Sequence, residues 1–282
     1  MKRRSFLLHS SCTLAAAALP VATYARFIEP VNLQVRTYPC RLPNLQPGAR
    51  PIRLVHLSDL HASISVPNSL IESALGAALE LKPDLLCITG DFVTVRTGWD
   101  PSWYRRTLRR ISAQVPVYAS MGNHDGGWRG SRMDDSSYVR SVLRDSGLEI
   151  LHNRSTVVTA AGQQIELVGL GDLWGHEFIP GQAFGHTAAK PHPRIVLSHN
   201  PDTKDHLTHK DWDLMLSGHT HGGQIVIPMV GSPWAPVKDK RYLHGLAPWG
   251  SRQIHVTCGV GSAGGVRLNC PPELVVLELA AA

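Results

Sequence analysis

Ile52-Arg-Leu-Val-His-Leu-Ser-Asp-Leu-His61, Leu85-Leu-Cys-Ile-Thr-Gly-Asp91 and Val117-Tyr-Ala-Ser-Met-Gly-Asn-His-Asp125 share one design. Each is a short apolar run of strand length that ends abruptly in Asp, Asn or His. Between the first two, Leu70, Ile71, Ala74, Leu75, Ala78 and Leu79 recur with the period of a helix. Ser69 and Glu72 are spaced as a capping box, and Pro83 stands as the stop. Further helices are predicted over 103–111 and 136–145, the latter closed by Gly147. Strand–helix alternation of this kind predicts an α/β fold. In such sheets the loops beyond the strands' carboxyl ends gather in one crevice, where ligands bind. The polar tails of these runs are therefore expected to converge.

Working outward, the second half repeats the alternation less regularly. Strands are predicted at 165–169, 194–197, 213–216, 224–227, 253–257 and 273–279, with a short helix near 202–207. Two of these runs also end in polar motifs: Ser198-His199, and Gly218-His219-Thr-His221. Upstream, Val31, Leu33 and Val35 alternate as a half-buried strand, followed by a Pro-rich linker over 39–51. The expected organisation is a targeting segment over 1–25, a strand and linker over 26–50, and one domain over 51–282. A chain of 282 residues is long enough to bury a full core.

The formal charge of +6 loses its force once placed along the chain. Three of the 28 basic residues are Lys2, Arg3 and Arg4, so the other 25 face 22 acidic ones. That balance is too weak to argue for a nucleic-acid partner, and none is expected. Lys2-Arg-Arg-Ser-Phe-Leu-Leu8 resembles a twin-arginine export signal, and the alanine-rich run after it is too short for a comfortable membrane span. The expectation is an exported protein, in the periplasm or on the outer face of the cytoplasmic membrane, handled by the twin-arginine machinery. Export leaves Cys40, Cys87, Cys258 and Cys270, and the apolar surroundings of Cys87 and Cys258 predict buried, unpaired thiols.

Five strand ends thus carry Asp59-x-His61, Gly90-Asp91, Gly122-Asn123-His124-Asp125, Ser198-His199 and Gly218-His219-x-His221. The i, i+2 spacing of Asp59/His61 and of His219/His221 suits extended chain, in which alternate residues face one way. Glycines beside the polar residues allow sharp turns and close packing around ions. Carboxylate, amide oxygen and imidazole are the ligands of hard or borderline divalent ions. Seven such groups exceed one ordinary site and suit two ions sharing a carboxylate.

In this order the motifs resemble the calcineurin-like metallophosphoesterase superfamily, from about Leu54 to the C-terminus. Leu57-Ser-Asp-Leu-His61, His199-Asn-Pro-Asp202, Ser217-Gly-His-Thr-His-Gly-Gly-Gln224 and Cys270-Pro-Pro-Glu273 are similar to the exported or membrane-associated YkuE/YaeI-like bacterial branch. The resemblance implies a four-layer α-β-β-α sandwich and a metal-dependent hydrolase of phosphate esters, diesters favoured. It implies that Asp59, His61 and His221 hold one divalent ion (Mn, Fe or Zn). Asn123, His199 and His219 would hold a second, with Asp91 bridging. His124 would face the phosphate as proton donor. The two ions would clamp the phosphoryl group and acidify a bridging water for in-line attack. The chain departs from the protein-phosphatase pattern, whose second Asp orients this histidine: Gly90-Asp-Phe-Val-Thr94 offers none, and Asp125 is the neighbouring alternative. A membrane-surface pyrophosphatase acting on nucleotide-linked lipid is the other enzymatic reading. A dead scaffold of the same fold is disfavoured, since all eight positions are filled.

The remaining features have plainer expectations. His56 and His255 read as satisfied groups within strands, and Arg105, Arg106, Arg109 and Arg110 as a solvated helix face or a contact for envelope phosphate. Trp99, Trp128 and Trp174 read as loop residues that pack at a rim or line a substrate groove. Arg96, Arg129 and Arg132 are the nearest cations to the motif loops.

Overall fold

The protein's computed structural model describes residues 19–94, 98–126, 135–185 and 191–282. Trp128, His186, Arg96, Arg129, Arg132 and the twin-arginine motif lie outside them. The apolar runs of the first half become β2 (Ile52–Leu57), β3 (Leu85–Thr89) and β4 (Val117–Ser120), parallel neighbours in one sheet. Crossing between them are α1 (Asn68–Glu80) and α2 (Pro101–Ser112); α3 (Ser137–Asp145) then leads to the short β5 (Glu149–Ile150). At the other side, β12 (Glu273–Ala281) pairs antiparallel with β2, and β1 (Gln34–Leu42) pairs parallel with β12.

The second sheet runs β10 (Gly245–Trp249), β11 (Arg252–Val256), β9 (Leu214–Ser217), β8 (Arg194–Leu197), β7 (Gln163–Gly169), β6 (Arg154–Ala160). Its central strands β11, β9, β8 and β7 are parallel, and antiparallel β10 and β6 close its edges.

Three apolar cores give the layers. The face of α1 and α2 that carries Leu70, Ile71, Leu75, Tyr104 and Leu108 packs with Val55, Leu57 and Ile88. Between the sheets, Leu54, Leu85 and Leu277 meet Ile165, Leu197 and Leu216. Behind the second sheet, Val168, Val196 and Met215 meet Phe184 of the short α4 (Pro180–Phe184), with Leu207 and Trp212. The α-β-β-α sandwich expected from the resemblance is the observed architecture, its fourth layer built from α4, 3₁₀ turns and loops. On the opposite face α2 and α3 are joined through Asp145, whose carbonyl accepts from Arg109 Nε at 3.0 Å while its carboxylate lies 3.8 Å from Arg105.

Several local expectations are corrected. The first helix starts at Asn68 behind Pro67, with Ser69 inside it and no side-chain cap. The N-terminal strand continues past Pro39 to Leu42, which an edge strand tolerates because its outer N–H groups need no partner. Residues 224–227 are not a strand. Gly222, Gly223 and Gln224 take φ of +61°, +80° and +58°, and this turn leaves Ile225 a single bridge to Leu268. β6 and β10 are additional strands. The first is mostly exposed and polar, and the second contains Pro248, so neither carried a strand pattern. All four described cysteines are buried and free, as expected for Cys87 and Cys258.

Candidate metal centre

Asp59, His61, Asp91, Asn123, His199, His219 and His221 are brought together where the two sheets' strand ends meet. Each is 7% exposed or less. Asp59 and His61 follow β2, Asp91 follows β3, Asn123 follows β4, His199 follows β8, and His219 and His221 follow β9. Convergence is as expected, but the reason given for the i, i+2 pairs is not. Asp59, His61, His219 and His221 have φ of +53°, +47°, +69° and +50°, and Asp91 has +50°. Their backbone is left-handed, not extended. Such residues cost on the order of 1–3 kcal/mol each, and such strain collects at functional sites. Backbone bonds hold the loops in place: Asp59 N–H donates to Gly90 O at 3.0 Å, and His61 N–H to Asp91 O at 2.9 Å.

Two glycines are required by close approach. A Cβ on Gly122 would strike the Asp91 carboxylate, and one on Gly218 would strike that of Asp59. The carboxylates are thereby pressed against backbone N–H groups. Both Asp59 oxygens accept from His219 N–H at 3.1 Å, and Asp91 Oδ1 accepts from His124 N–H at 2.8 Å.

The ligand atoms form two overlapping clusters, Asp59/His61/His221 and Asp59/Asp91/His199, each with atoms within 4.8 Å of one another. Asp91 Oδ2 lies 3.5 Å from His61 Nε2 and 3.1 Å from His199 Nε2. Asp59 Oδ1 lies 3.5 Å from His221 Nε2 and 3.9 Å from His61 and His199. His61 Nε2 and His221 Nε2 point at each other across 3.2 Å. Two of the other ring nitrogens are tied back, His61 Nδ1 to Thr94 Oγ1 at 2.9 Å and His199 Nδ1 to Thr89 O at 2.7 Å, whereas His221 Nδ1 is buried without a partner. Such outer contacts fix the tautomer and aim Nε2 into the cluster.

Protonation follows from burial. It pushes His61 down to about 4 and His219 to about 3, and holds His221 well below the usual imidazole range. All three are neutral near pH 7, with a lone pair to offer. Burial also pushes Asp59 up to about 6. Burial opposes charge on His199, but Asp91 and Asp59 outweigh it and hold this imidazole well above its ordinary value.

The donor set fits divalent cations on a separate observation. Asn123 Oδ1, His199 Nε2 and His219 Nε2 are buried without a hydrogen-bond partner, His199 despite its nearness to Asp91. His199 Nε2 has the Asp91 carboxylate beside it, but Asn123 Oδ1 and His219 Nε2 have no such neighbour, and burying them unpaired is costly unless a cation completes them.

His124 sits at the mouth, partly exposed, its ring 5.1 Å from that of His61. Asp125 accepts from Gly122 N–H at 2.8 Å and from Val93 N–H at 3.1 Å, so its carboxylate braces the loop backbone. Asp172 was missed in the sequence. It is 1% exposed and follows β7, a sixth strand end whose Gly-Leu-Gly-Asp tail carried the signal. Its Oδ1 accepts from Trp174 and Gly175 N–H at 2.8 and 2.7 Å, its Oδ2 is unpartnered, and burial pushes its carboxyl up to about 6. The Trp174 ring so held meets His219 edge-on at 4.4 Å.

Known proteins are similar to this chain along nearly its whole length. Over 279 residues it is 39% identical to "Phosphodiesterase YaeI" of Escherichia coli, covering 99% of both chains. It is 30% identical to the "Uncharacterized metallophosphoesterase YkuE" of Bacillus subtilis, covering 99% of this chain and 98% of that one. It is 28% identical to "UDP-2,3-diacylglucosamine pyrophosphatase LpxG" of Chlamydia trachomatis, covering 95% and 96%. Residues 52–223 match the family described as calcineurin-like phosphoesterase, a span that includes all of the strand-end motifs. With the match falling on the very loops that build this cluster, the chain belongs to the calcineurin-like phosphoesterases and is a metal-dependent phosphoesterase of the YaeI/YkuE-like branch.

Proposed function

We propose that the protein is an exported phosphodiesterase working with two divalent ions. Asp59, His61 and His221 hold the first ion, Asn123, His199 and His219 the second, and Asp91 lies between them. The carrying observation is the pair of unpartnered buried atoms, Asn123 Oδ1 and His219 Nε2, beside the Asp59/Asp91/His199 cluster. Asp91 is favoured as the shared ligand because its Oδ2 is within 3.5 Å of imidazoles on both sides. When bound, the ions would neutralise phosphoryl charge and supply a nucleophile from water at neutral pH.

The chain's own residues do the rest. His61 and His199 are aimed by Thr94 and Thr89, so little reorganisation is needed on metal uptake. His199, which Asp91 and Asp59 hold protonated, would have to give up that proton to serve as a ligand, so metal binding would release acid. His124, partly exposed beside His61, gives a proton to the departing alkoxide. Asp125 shapes the loop carrying His124 through its bonds to Gly122 and Val93.

A diester is favoured over a dianionic monoester, whose extra charge calls for further cationic clamps. Arg267, fully buried beside His61 and His221, has both terminal nitrogens committed to the carbonyls of Cys258, Gly259, Gly261 and Cys270, and only its Nε is unpartnered. The similarity to a protein named phosphodiesterase points the same way. Comparing kcat/KM for bis-nitrophenyl and mononitrophenyl phosphate, with metal analysis of the same sample, tests this. Monoester turnover tenfold above diester turnover would overturn it.

Export rests on the twin-arginine resemblance of Arg3-Arg4. Arg3→Lys with Arg4→Lys should leave folded, metal-loaded precursor in the cytoplasm, as fractionation with metal analysis would show. Normal export of this double variant would refute the reading.

A further inference from the structure

Beside the metal cluster lies a groove of about 510 Å³, within the size range of pockets that take small-molecule ligands. Two of its walls belong to the cluster. His221 lines it directly, and so does Trp174, the ring packed on His219. The far wall is Ile225, Pro233, Trp234 and Pro236. We infer that this groove receives an alkyl or acyl chain carried by the phosphoester whose phosphate sits at the metals. The inference rests on the phosphoesterase reading above and names the substrate class for it.

Three observations select an apolar chain over a nucleobase or sugar. First, the two uncharged polar side chains of the lining, Thr220 and Gln224, are already bonded to backbone. Thr220 Oγ1 donates to Leu243 O at 2.6 Å. The Gln224 amide donates to Ala263 O at 2.8 Å and accepts from Ala263 N–H at 2.9 Å. Both are held in place by backbone, which lowers their capacity to read a base edge or a hydroxyl, and discrimination of such groups needs uncommitted partners.

Second, the segment forming the far wall goes on presenting apolar side chains to solvent. Ile227, Met229, Val230 and Trp234 are 41%, 106%, 70% and 87% exposed. Large apolar residues scattered singly need no explanation, but a run of them leading from a metal ligand marks a binding surface. Third, this wall is fixed relative to the metals. Ser232 Oγ lies 3.2 Å from Gly223 O, two residues past His221, and 2.8 Å from Trp234 O. The turn over 227–231 is closed by Ile227 N–H to Gly231 O at 2.9 Å and Gly231 N–H to Ile227 O at 2.8 Å. A chain lying along Trp234 therefore reaches His221, one of the residues assigned to the first ion.

Full burial of a methylene strengthens binding by roughly fourfold at most, and less in an open groove. The test is a series of nitrophenyl alkyl phosphates (methyl, butyl, octyl) with metal-loaded full-length protein, below micelle-forming concentrations. The expected result is kcat/KM at least about tenfold higher for octyl than for methyl. Trp234→Ala should collapse that ratio below about threefold, and Trp234→Phe should restore most of it. Val157→Ser, which removes an exposed apolar residue of β6, should leave the ratio unchanged.

A flat wild-type series would overturn the inference, as would a ratio indifferent to Trp234→Ala. Preference for the nitrophenyl ester of thymidine monophosphate over octyl would overturn it in favour of a base-binding groove. Binding is also read without turnover, by tryptophan fluorescence titration with octylphosphonate and methylphosphonate. At least tenfold tighter octyl binding supports the groove even if every ester proves inert, which would then count against the esterase reading alone. Equal dissociation constants would sink the groove while leaving that reading intact.

Discussion

Two pairs of buried histidines face each other in this molecule, ring nitrogen to ring nitrogen. His56 Nδ1 and His255 Nδ1 are 3.0 Å apart between β2 and β11, and His61 Nε2 and His221 Nε2 are 3.2 Å apart where strands end. In both pairs burial drives the imidazoles toward the neutral form. The surroundings differ. His56 Nε2 meets the Thr89 hydroxyl at 2.8 Å, whereas His61 and His221 each have a carboxylate oxygen 3.5 Å away. Their backbones differ too, since His61 and His221 are left-handed and His56 and His255 sit within regular strands. Ring-to-ring proximity is thus no mark of a metal site by itself. Buried carboxylates on strained strand-end loops supply what the core pair lacks.

If that contrast holds, the largest effect comes from removing a carboxylate. Asp91→Asn should disturb both ions and abolish nearly all hydrolysis, with elemental analysis of the purified variant as the measurement. Two tightly held metals with wild-type turnover would break the comparison outright.

Next in size is His124, which lies beside the ligand pair without belonging to it. His124→Ala should keep both metals and lower kcat by roughly 10²–10⁴-fold. The loss should shrink for nitrophenyl esters, whose leaving groups need little protonation. Equal losses on nitrophenyl and alkyl esters would remove the proton-donor role.

The same contrast explains what was legible in the sequence. His56 and His255 lie inside apolar alternation and read as core, while His61 and His221 follow Asp-x and His-x pairs after a strand and read as ligands. The first sheet was readable because its strands alternate with helices whose apolar faces keep a regular period. The second sheet hid its edges, since β6 is mostly exposed and polar and β10 carries Pro248. Left-handed φ at Asp59 and Asp91 was not readable either, because non-glycine residues adopt it only where surrounding contacts force them. Asp172 escaped because its motif resembles no family pattern, although it stands at a strand end like the others.

A smaller effect tests the core pair. His56→Leu leaves His255 and Thr89 without their partner and should cost about 1–3 kcal/mol at pH 7.5, with both metals retained. The His56 pKa is depressed in the folded state, so the unfolded chain alone takes up this proton as pH falls below about 6.5. Wild-type stability from this group is therefore full above that pH and is lost on acidification, by about 1.4 kcal/mol per pH unit. The leucine variant lacks that linkage. Its deficit should narrow by about that amount between pH 7.5 and pH 5.5, as denaturant titrations would show. A deficit that widens on acidification would mean His56 is charged in the fold.

The smallest effect concerns Asp172, a buried carboxylate near the cluster that is bonded to the backbone N–H groups of Trp174 and Gly175. If carboxylates make a site only where imidazoles face them, Asp172 is a positioning residue for Trp174 and not a ligand. Asp172→Asn keeps an acceptor for the Trp174 and Gly175 N–H groups but removes the charge that strengthens those bonds. The expected cost is about 1 kcal/mol, or roughly fivefold, falling on KM with kcat little changed. Both metals should remain, because Asn123, His199, His219 and Asp91 already surround the second position. A structural role alone would lower melting temperature without splitting KM from kcat. Loss of one metal in the asparagine variant, restored by Asp172→Glu, would instead make the unpartnered Oδ2 a ligand. The second ion would then have one more protein ligand than the strand-end motifs supply, and the contrast with the core pair would rest on a count of carboxylates larger by one.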